Sequence, residues 1–293
     1  MAQSIPSKLC GREFDEYQLD LIKRIIELTV PPIREQIARR VCIALNWIDL
    51  LGREKIMSCK VALLRLHRLG LIELPQPIRR NGNGKIYRLS PILLNQEEPI
   101  NLPVNQLSGL QLEVVKDKDC SQLWNYTIGS YHYLGYKPLS GAQQRYVIHW
   151  DGGVLGCVGF SASAWTLAAR DQWIGWDQKT RERNLHLIVN NSRFLILPWV
   201  RCHNLGSKVL SLCASRIRDD FYQSYGYCPV LLETFVEAGR FCGSIYKAAN
   251  WKFIGKTKGR GKLDRYHKHR LPLKDIYVYP LCRNFRSILG GES

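Results

Sequence analysis

The chain has no uncharged apolar run near the ~20 residues needed to cross a bilayer, so no membrane-spanning helix is expected. Its first stretch, Met1 to Phe14, lacks the apolar core of a secretory signal, which points to the cytoplasm. None of its ten cysteines falls in a CxxC pair, so neither a zinc site nor a disulfide framework is indicated. Buried, reduced thiols of a cytosolic protein are what remains. Metal-dependent nucleic-acid cleavage would have to rest on Asp171, Glu233 and Asp264, whose spacing matches no known carboxylate cluster. No metal is therefore assigned.

Acidic residues are scarce too: 25 Asp and Glu stand against 42 Lys and Arg, a net charge of +17 over 293 residues. Such an excess favours polyanions, nucleic acid first. The excess is patchy, at +5 over residues 1–100, near neutrality over 101–200 and +10 over 201–293. A hydrophobic content of 45% excludes a disordered chain, and the length suggests two domains of roughly 100–200 residues each.

Three amphipathic segments open the chain. Glu13–Leu28 aligns Leu19, Ile22 and Ile26; Pro32 opens a second, with Ile33, Ile37, Val41 and Leu45 on one stripe. The third runs from about Met57 to Leu69, with Cys59, Ala62, Leu63, Leu66 and Leu69 on one face and Lys60, Leu64, His67 and Arg68 on the opposite one. A basic turn follows, Ile78-Arg79-Arg80-Asn81-Gly82-Asn83-Gly84-Lys85, with Asn-Gly steps that suit a hairpin. Three helices and a basic hairpin are the order of a winged helix-turn-helix, whose third helix enters a major groove. Lys60, His67, Arg68, Arg79, Arg80 and Lys85 are then the DNA-contact candidates; a small helical interaction domain with a solvated basic face is the alternative. The expected domains are a winged helix over 1–90, a Pro-rich linker over 91–108 and a second domain over 109–293.

Beyond residue 109 strands alternate with helices. Arg145–Trp150 and Val154–Phe160 flank Asp151-Gly152-Gly153 as a hairpin; Leu185–Val189 and Phe194–Val200 read as two strands; Leu205–Tyr225 reads as a long helix. Pro229–Val236 is a continuous apolar strand, Phe241–Ala249 a short helix, and Trp251–Gly255 and Ile276–Leu281 the last strands. Residues 252–270 carry eight Lys and Arg against one acid, with three glycines, and Lys256, Lys258, Arg260 and Lys262 are candidates for phosphate contact. A solvated loop is the plain alternative.

This order resembles the Gcn5-related N-acetyltransferase (GNAT) fold, giving an α+β chain: a winged helix-turn-helix, then a GNAT-like mixed-sheet α/β domain. Arg201-Cys202-His203-Asn204-Leu205-Gly206 resembles the family's Arg/Gln-x-x-Gly-x-Gly/Ala phosphate turn, with Asn204 for the first glycine. Arg201, Asn204 and Gly206 are its candidate phosphate residues; such a turn offers free N–H groups at a helix start. Asn is the residue next most tolerant of the left-handed backbone after Gly, so the turn can survive the exchange. Tyr246-Lys247-Ala248-Ala249-Asn250-Trp251 resembles the family's Tyr-x-x-x-Gly-Phe. The resemblance implies Tyr246 as an acid, Glu233 as a base and acyl-CoA as a cofactor, but the cofactor stays unassigned, since fold does not imply chemistry.

A longer resemblance, from about Glu16 to Leu281, is to the DruA family of the Druantia anti-phage defence system. It is carried by Tyr131–Gly135, Gly141–Tyr146, Arg170–Trp176, Asn190–Trp199, Leu232–Val236 and Gly243–Trp251. It implies a role in bacterial antiviral immunity beside other Druantia proteins, including a large helicase-like one, and leaves the reaction open. Similar domains in mobile-element proteins suggest an accessory role there as an alternative.

The polar residues of those strings, Arg170, Asp171, Asn190, Asn191 and Arg193, are costly to bury unpaired. Arg170–Asp171 is either a local ion pair or functional, and Asn190-Asn191 either a turn between strands or functional. His132 is a packing histidine or a base. The function expected is nucleic-acid binding, to double-stranded DNA first, within that defence system; an acyl- or aminoacyl-transferase is the main alternative.

Overall fold

In a computed structural model, the chain is described over residues 9–78, 89, 91, 92, 94, 99–259 and 272–290. It divides into two compact units, Met1–Ile86 and Tyr87–Ser293.

The first unit contains α1 (Glu16–Glu27), α2 (Arg34–Ala44) and α3 (Ile56–Arg68). Asp15 caps α1 by accepting the Gln18 N–H at 2.7 Å, as Asp does at helix starts. The expected stripes form one core, with Ile22, Ile37, Val41, Cys59, Ala62 and Leu66 fully buried. Between α2 and α3, Asp49 accepts the N–H groups of Leu51 and Arg53, closing a turn across which Ile48 and Glu54 pair. Those bonds hold the Asp49 carboxyl below the usual range. The hairpin expected after α3 falls almost entirely on residues 79–88, outside the described residues.

The second unit is mixed α+β: β1 (Gln111–Val114), α4 (Lys118–Tyr131), β2 (Gln144–Trp150), β3 (Gly153–Ala162), α5 (Ala168–Ile174), α6 (Gln178–Asn184) and β4 (Ile188–Ile196) come first. They are followed by α7 (Leu205–Tyr225), β5 (Leu231–Glu237), α8 (Ser244–Ala248), β6 (Lys252–Lys256), β7 (Lys274–Pro280) and α9 (Phe285–Gly290). The seven strands form one sheet in the order β1-β2-β3-β4-β5-β7-β6. All pairs are antiparallel except β4 with β5. The Asp151-Gly152 turn joins β2 to β3 as its sequence demands.

Helices cover both faces of β2, because successive strand residues point opposite ways. Arg145 reaches Ser121 and Asn125 of α4, whereas the Tyr146 hydroxyl donates to Asp220 of α7 at 2.7 Å. The fully buried Trp124 of α4 also donates its indole N–H to the Val158 carbonyl.

Two expectations need correction. Residues 99–108 belong to the second unit rather than to a free linker: Ile100 pairs with Trp199 and Arg201, and Leu107 is buried in the sheet core. Apolar Ile100, Leu102 and Leu107 between the prolines supply the reason. Asn190-Asn191 is not a turn either, since β4 runs unbroken through it. Gly159 pairs with Arg193 and Phe160 with Asn191, so Ser192 is the extra residue of a β-bulge. The Asn191 side chain repairs that bulge by donating to the carbonyls of Gly159 and Arg193, at 3.3 and 3.1 Å.

Candidate functional site

The parallel pairing of β4 with β5 lasts only from Ile188/Leu231 to Asn191/Thr234, although both strands continue. Where they part, a cavity of about 670 Å³ opens, walled by β4, β5, the end of α4 and the chain from Arg240 to Tyr246. Pockets of this size take small organic ligands (about 300–1,000 Å³).

Tyr246, His132, Asn190, Asn191 and Arg193 all line it, brought together from three elements. The Tyr246 hydroxyl donates to Asn191 Oδ1 at 2.8 Å and lies 3.4 Å from the Thr234 hydroxyl, which donates to the Asn191 carbonyl at 3.0 Å. Burial pushes the Tyr246 phenol well above its ordinary pKa, so it stays protonated. His132 caps the end of α4, and its Nδ1 accepts the Leu134 N–H at 3.2 Å, which puts the ring proton on Nε2. Burial, and then the Arg193 cation, lower its pKa to about 4, so the imidazole is neutral at pH 7. Asn190 Oδ1 and Arg193 Nε are buried without a hydrogen-bond partner among the described residues.

Glu233 does not join this group. It is fully buried; Oε2 accepts from Arg170 at 2.9 Å and Oε1 from the Ala164 N–H at 2.9 Å. Arg170, equally buried, also donates to the Ala164 carbonyl and twice to Asp171 Oδ1, at 3.0 and 2.8 Å. Asp171 further accepts from Trp176, Leu167 and Arg181. Arg170–Asp171 is thus a local ion pair within a four-member network, with Glu233 and Arg181, that ties α5 and α6 to β5. Burial raises the Glu233 pKa while Arg170 opposes it.

The turn before α7 keeps its special backbone: Asn204 has φ 62°. Asn250, the second Asn in a glycine position, has φ 62° as well, and the Trp251 N–H returns to the Tyr246 carbonyl to close α8. Arg201 and Asn204 are exposed. Gly206 is needed for packing, because a Cβ there would meet Ile245 Cγ2 at 2.8 Å.

The DNA-contact candidates divide. Lys60 pairs with Glu35 at 3.3 Å, and His67 Nδ1 accepts the Leu74 N–H at 3.3 Å, so neither group is idle. Arg68 is exposed, as is Arg65, which the helical wheel passed over. Lys256 lies 3.7 Å from Asp275, and Lys258 is exposed. Arg79, Arg80, Lys85, Arg260 and Lys262 lie outside the described residues. Arg240, Phe241 and Lys274 of the cavity wall were missed by sequence reasoning; nothing in their spacing marks them.

Among the described residues no helix is long and apolar enough to cross a membrane, and no group of three His, Cys, Asp or Glu side chains gathers as a metal-ligand set. The cysteines are all free thiols; Cys42, Cys59, Cys120, Cys157 and Cys213 are buried, and Cys242 is exposed.

Solved structures that match this chain include acetyltransferases. A probable GNAT-family acetyltransferase from Chromobacterium violaceum matches at 12% identity over 68% of this chain and 98% of its own, with TM-score 0.37. An N-acetyltransferase from Staphylococcus aureus matches at 16% identity over 60% and 100%, also with TM-score 0.37. Spermidine/spermine N-acetyltransferase SpeG from Vibrio cholerae matches at 11% over 63% and 97%, with TM-score 0.35. Likeness at this level bears on neither activity nor ligand. No curated protein matches the sequence. The family model described as Druantia protein DruA matches residues 65–269, and the chain belongs to that family.

Proposed function

We propose that this Druantia component binds nucleic acid, engaging double-stranded DNA through the α1–α3 unit and through the basic segment that follows β6. In this reading α3 is the recognition helix of a winged helix-turn-helix. The observation that carries it is the placement of charge. The +17 excess collects at residues 34–88 and 252–270. On α3 the exposed cations Arg65 and Arg68 sit on a turn-spaced stripe with Met57 and Val61. A stripe of that kind can offer guanidinium groups to phosphates or guanine and apolar groups to thymine methyls. The helicase-like Druantia protein is the expected partner, and the cytoplasm the expected place of action.

The test is duplex affinity of the full chain at fixed salt. Arg65→Glu with Arg68→Glu, and Lys256→Glu with Lys258→Glu, should each weaken it by about tenfold or more. Unchanged affinity in the combined variant, with both units folded, overturns the reading.

A second reading, acyl transfer, has one specific observation behind it. A protonated Tyr246 hydroxyl stands at the parting of β4 and β5, where it could protonate a leaving group. Bound acyl-CoA would supply an activated thioester. The N–H groups of Gly206 and Ser207 make no backbone hydrogen bond among the described residues at the start of α7, beside exposed Lys208, and would hold its phosphates. Glu233 cannot act as the base from its place in the ion network. Calorimetric titration with acetyl-CoA decides: no heat and no thermal shift removes this reading, and an aminoacyl-tRNA donor would be tested by filter binding.

A further inference from the structure

The cavity between β4 and β5 is more than a gap beside a tyrosine, because one side of its mouth is a stacking platform. The rings of His132 and Tyr133 lie 4.8 Å apart at 26°, and Phe241 lies 5.3 Å from Tyr133. Tyr133 and Phe241 remain 38% and 47% exposed, an unusual condition for neighbouring aromatic rings with a cavity behind them. The Arg240 guanidinium sits 4.7 Å over the Tyr133 ring.

The other walls supply what an aromatic anion lacks elsewhere. Arg193 and Lys274 line the same cavity, and neither is in an ion pair among the described residues. Among the described residues, Glu237 is the carboxylate that acts on the Tyr133 hydroxyl, set against the cations Arg193, Arg240 and Lys274 of the cavity wall. Of the lining residues, Asn190 Oδ1 and Arg193 Nε are buried and lack partners among the described residues, a cost that a polar ligand would relieve. Planar rings, cations at the mouth and unsatisfied polar groups within are complementary to one chemical class, a heterocycle carrying phosphate.

We propose that this cavity binds a nucleotide, its base against Tyr133 and Phe241 and its phosphate near Arg193, Arg240 and Lys274. The nucleotide is either free or the terminal or unpaired unit of a strand. The site is separate from the duplex-contacting charges of the proposed function, so either can fail without the other.

The experiment is calorimetric titration of the full chain with dAMP, with a short single-stranded oligodeoxyadenylate, and with acetyl-CoA. Saturable binding of either nucleotide probe is expected, and each of Tyr133→Ala and Phe241→Ala should weaken it about tenfold, as loss of a stacking partner does. Equal affinity for both probes identifies a free-nucleotide site, and preference for the oligonucleotide identifies a strand site. Arg65→Glu/Arg68→Glu should leave dAMP binding unchanged while weakening duplex binding, which separates this site from the proposed function. Both aromatic rings reach the surface and neither belongs to a buried core cluster, so their variants should fold; near-ultraviolet circular dichroism checks this. No binding of either nucleotide probe, binding indifferent to both substitutions, or binding of acetyl-CoA alone would overturn the proposal.

Discussion

Replacing Arg170 by Met removes the only cation that touches Glu233 among the described residues. In the native fold Glu233 has two hydrogen bonds, one from Arg170 and one from the Ala164 N–H, and no contact with water. Met fills most of the arginine's volume, so the loss is chiefly electrostatic. Breaking a buried pair in this way costs about 3–5 kcal/mol, because the remaining charge is left uncompensated. Asp171 keeps Trp176, Leu167 and Arg181, so its share should be small. The cost should depend on pH with a definite sign. Burial already raises the Glu233 pKa, and losing Arg170 raises it further. A carboxyl with a raised folded-state pKa favours folding below its unfolded value and loses that contribution as pH rises through the folded one. The variant should therefore be least impaired near pH 4 and most impaired at neutrality. Urea unfolding, followed by tryptophan fluorescence, measures this directly, since Trp176 lies over Arg170. The double variant Arg170→Met/Glu233→Met should recover most of the loss. A cost below about 1 kcal/mol for the single variant, or no recovery in the double, would refute a structural role for the network.

Other consequences are equally concrete. Tyr246→Phe should cost about 1–3 kcal/mol in thermal or urea unfolding, because it strands Asn191 Oδ1 in a buried site. The His132 imidazole should titrate by NMR near pH 4, and as its folded pKa is depressed, its contribution to stability is present above about 6.5 and lost as pH falls through about 4. In Gly156→Ala the new Cβ would stand 2.0 Å from the Leu195 carbonyl oxygen, so β3 and β4 must separate locally. The expected loss is about 3 kcal/mol or more, readable in urea unfolding.

Periodicity carried much of this architecture. The α1–α3 stripes, the Asp-Gly hairpin and the span of α7 follow from apolar spacing and turn chemistry, and both Asn-for-Gly positions do adopt the left-handed backbone. What failed were places where tertiary context overrides local preference. Asn190-Asn191 reads as a turn because Asn disfavours strands, yet the bulge at Ser192 gives the Asn191 amide two carbonyls to satisfy. Glu233 looked like a base on a strand, and its partner lies 63 positions away on α5, a pairing no spacing rule reveals. The cavity's aromatic platform joins the end of α4 to the loop after β5, equally invisible in a linear reading. On α3 the wheel placed the outward face one residue off, so exposed Arg65 was missed and half-buried His67 chosen.

The most direct measurement is the salt dependence of duplex binding by the full, unaltered chain, read by fluorescence anisotropy. Log affinity should fall linearly with log salt at a slope of about −0.9 per phosphate neutralised, steep enough to report several contacts. A shallow slope, or no binding to duplex DNA at low salt, would contradict the claim that the basic regions of this DruA-family protein hold nucleic acid.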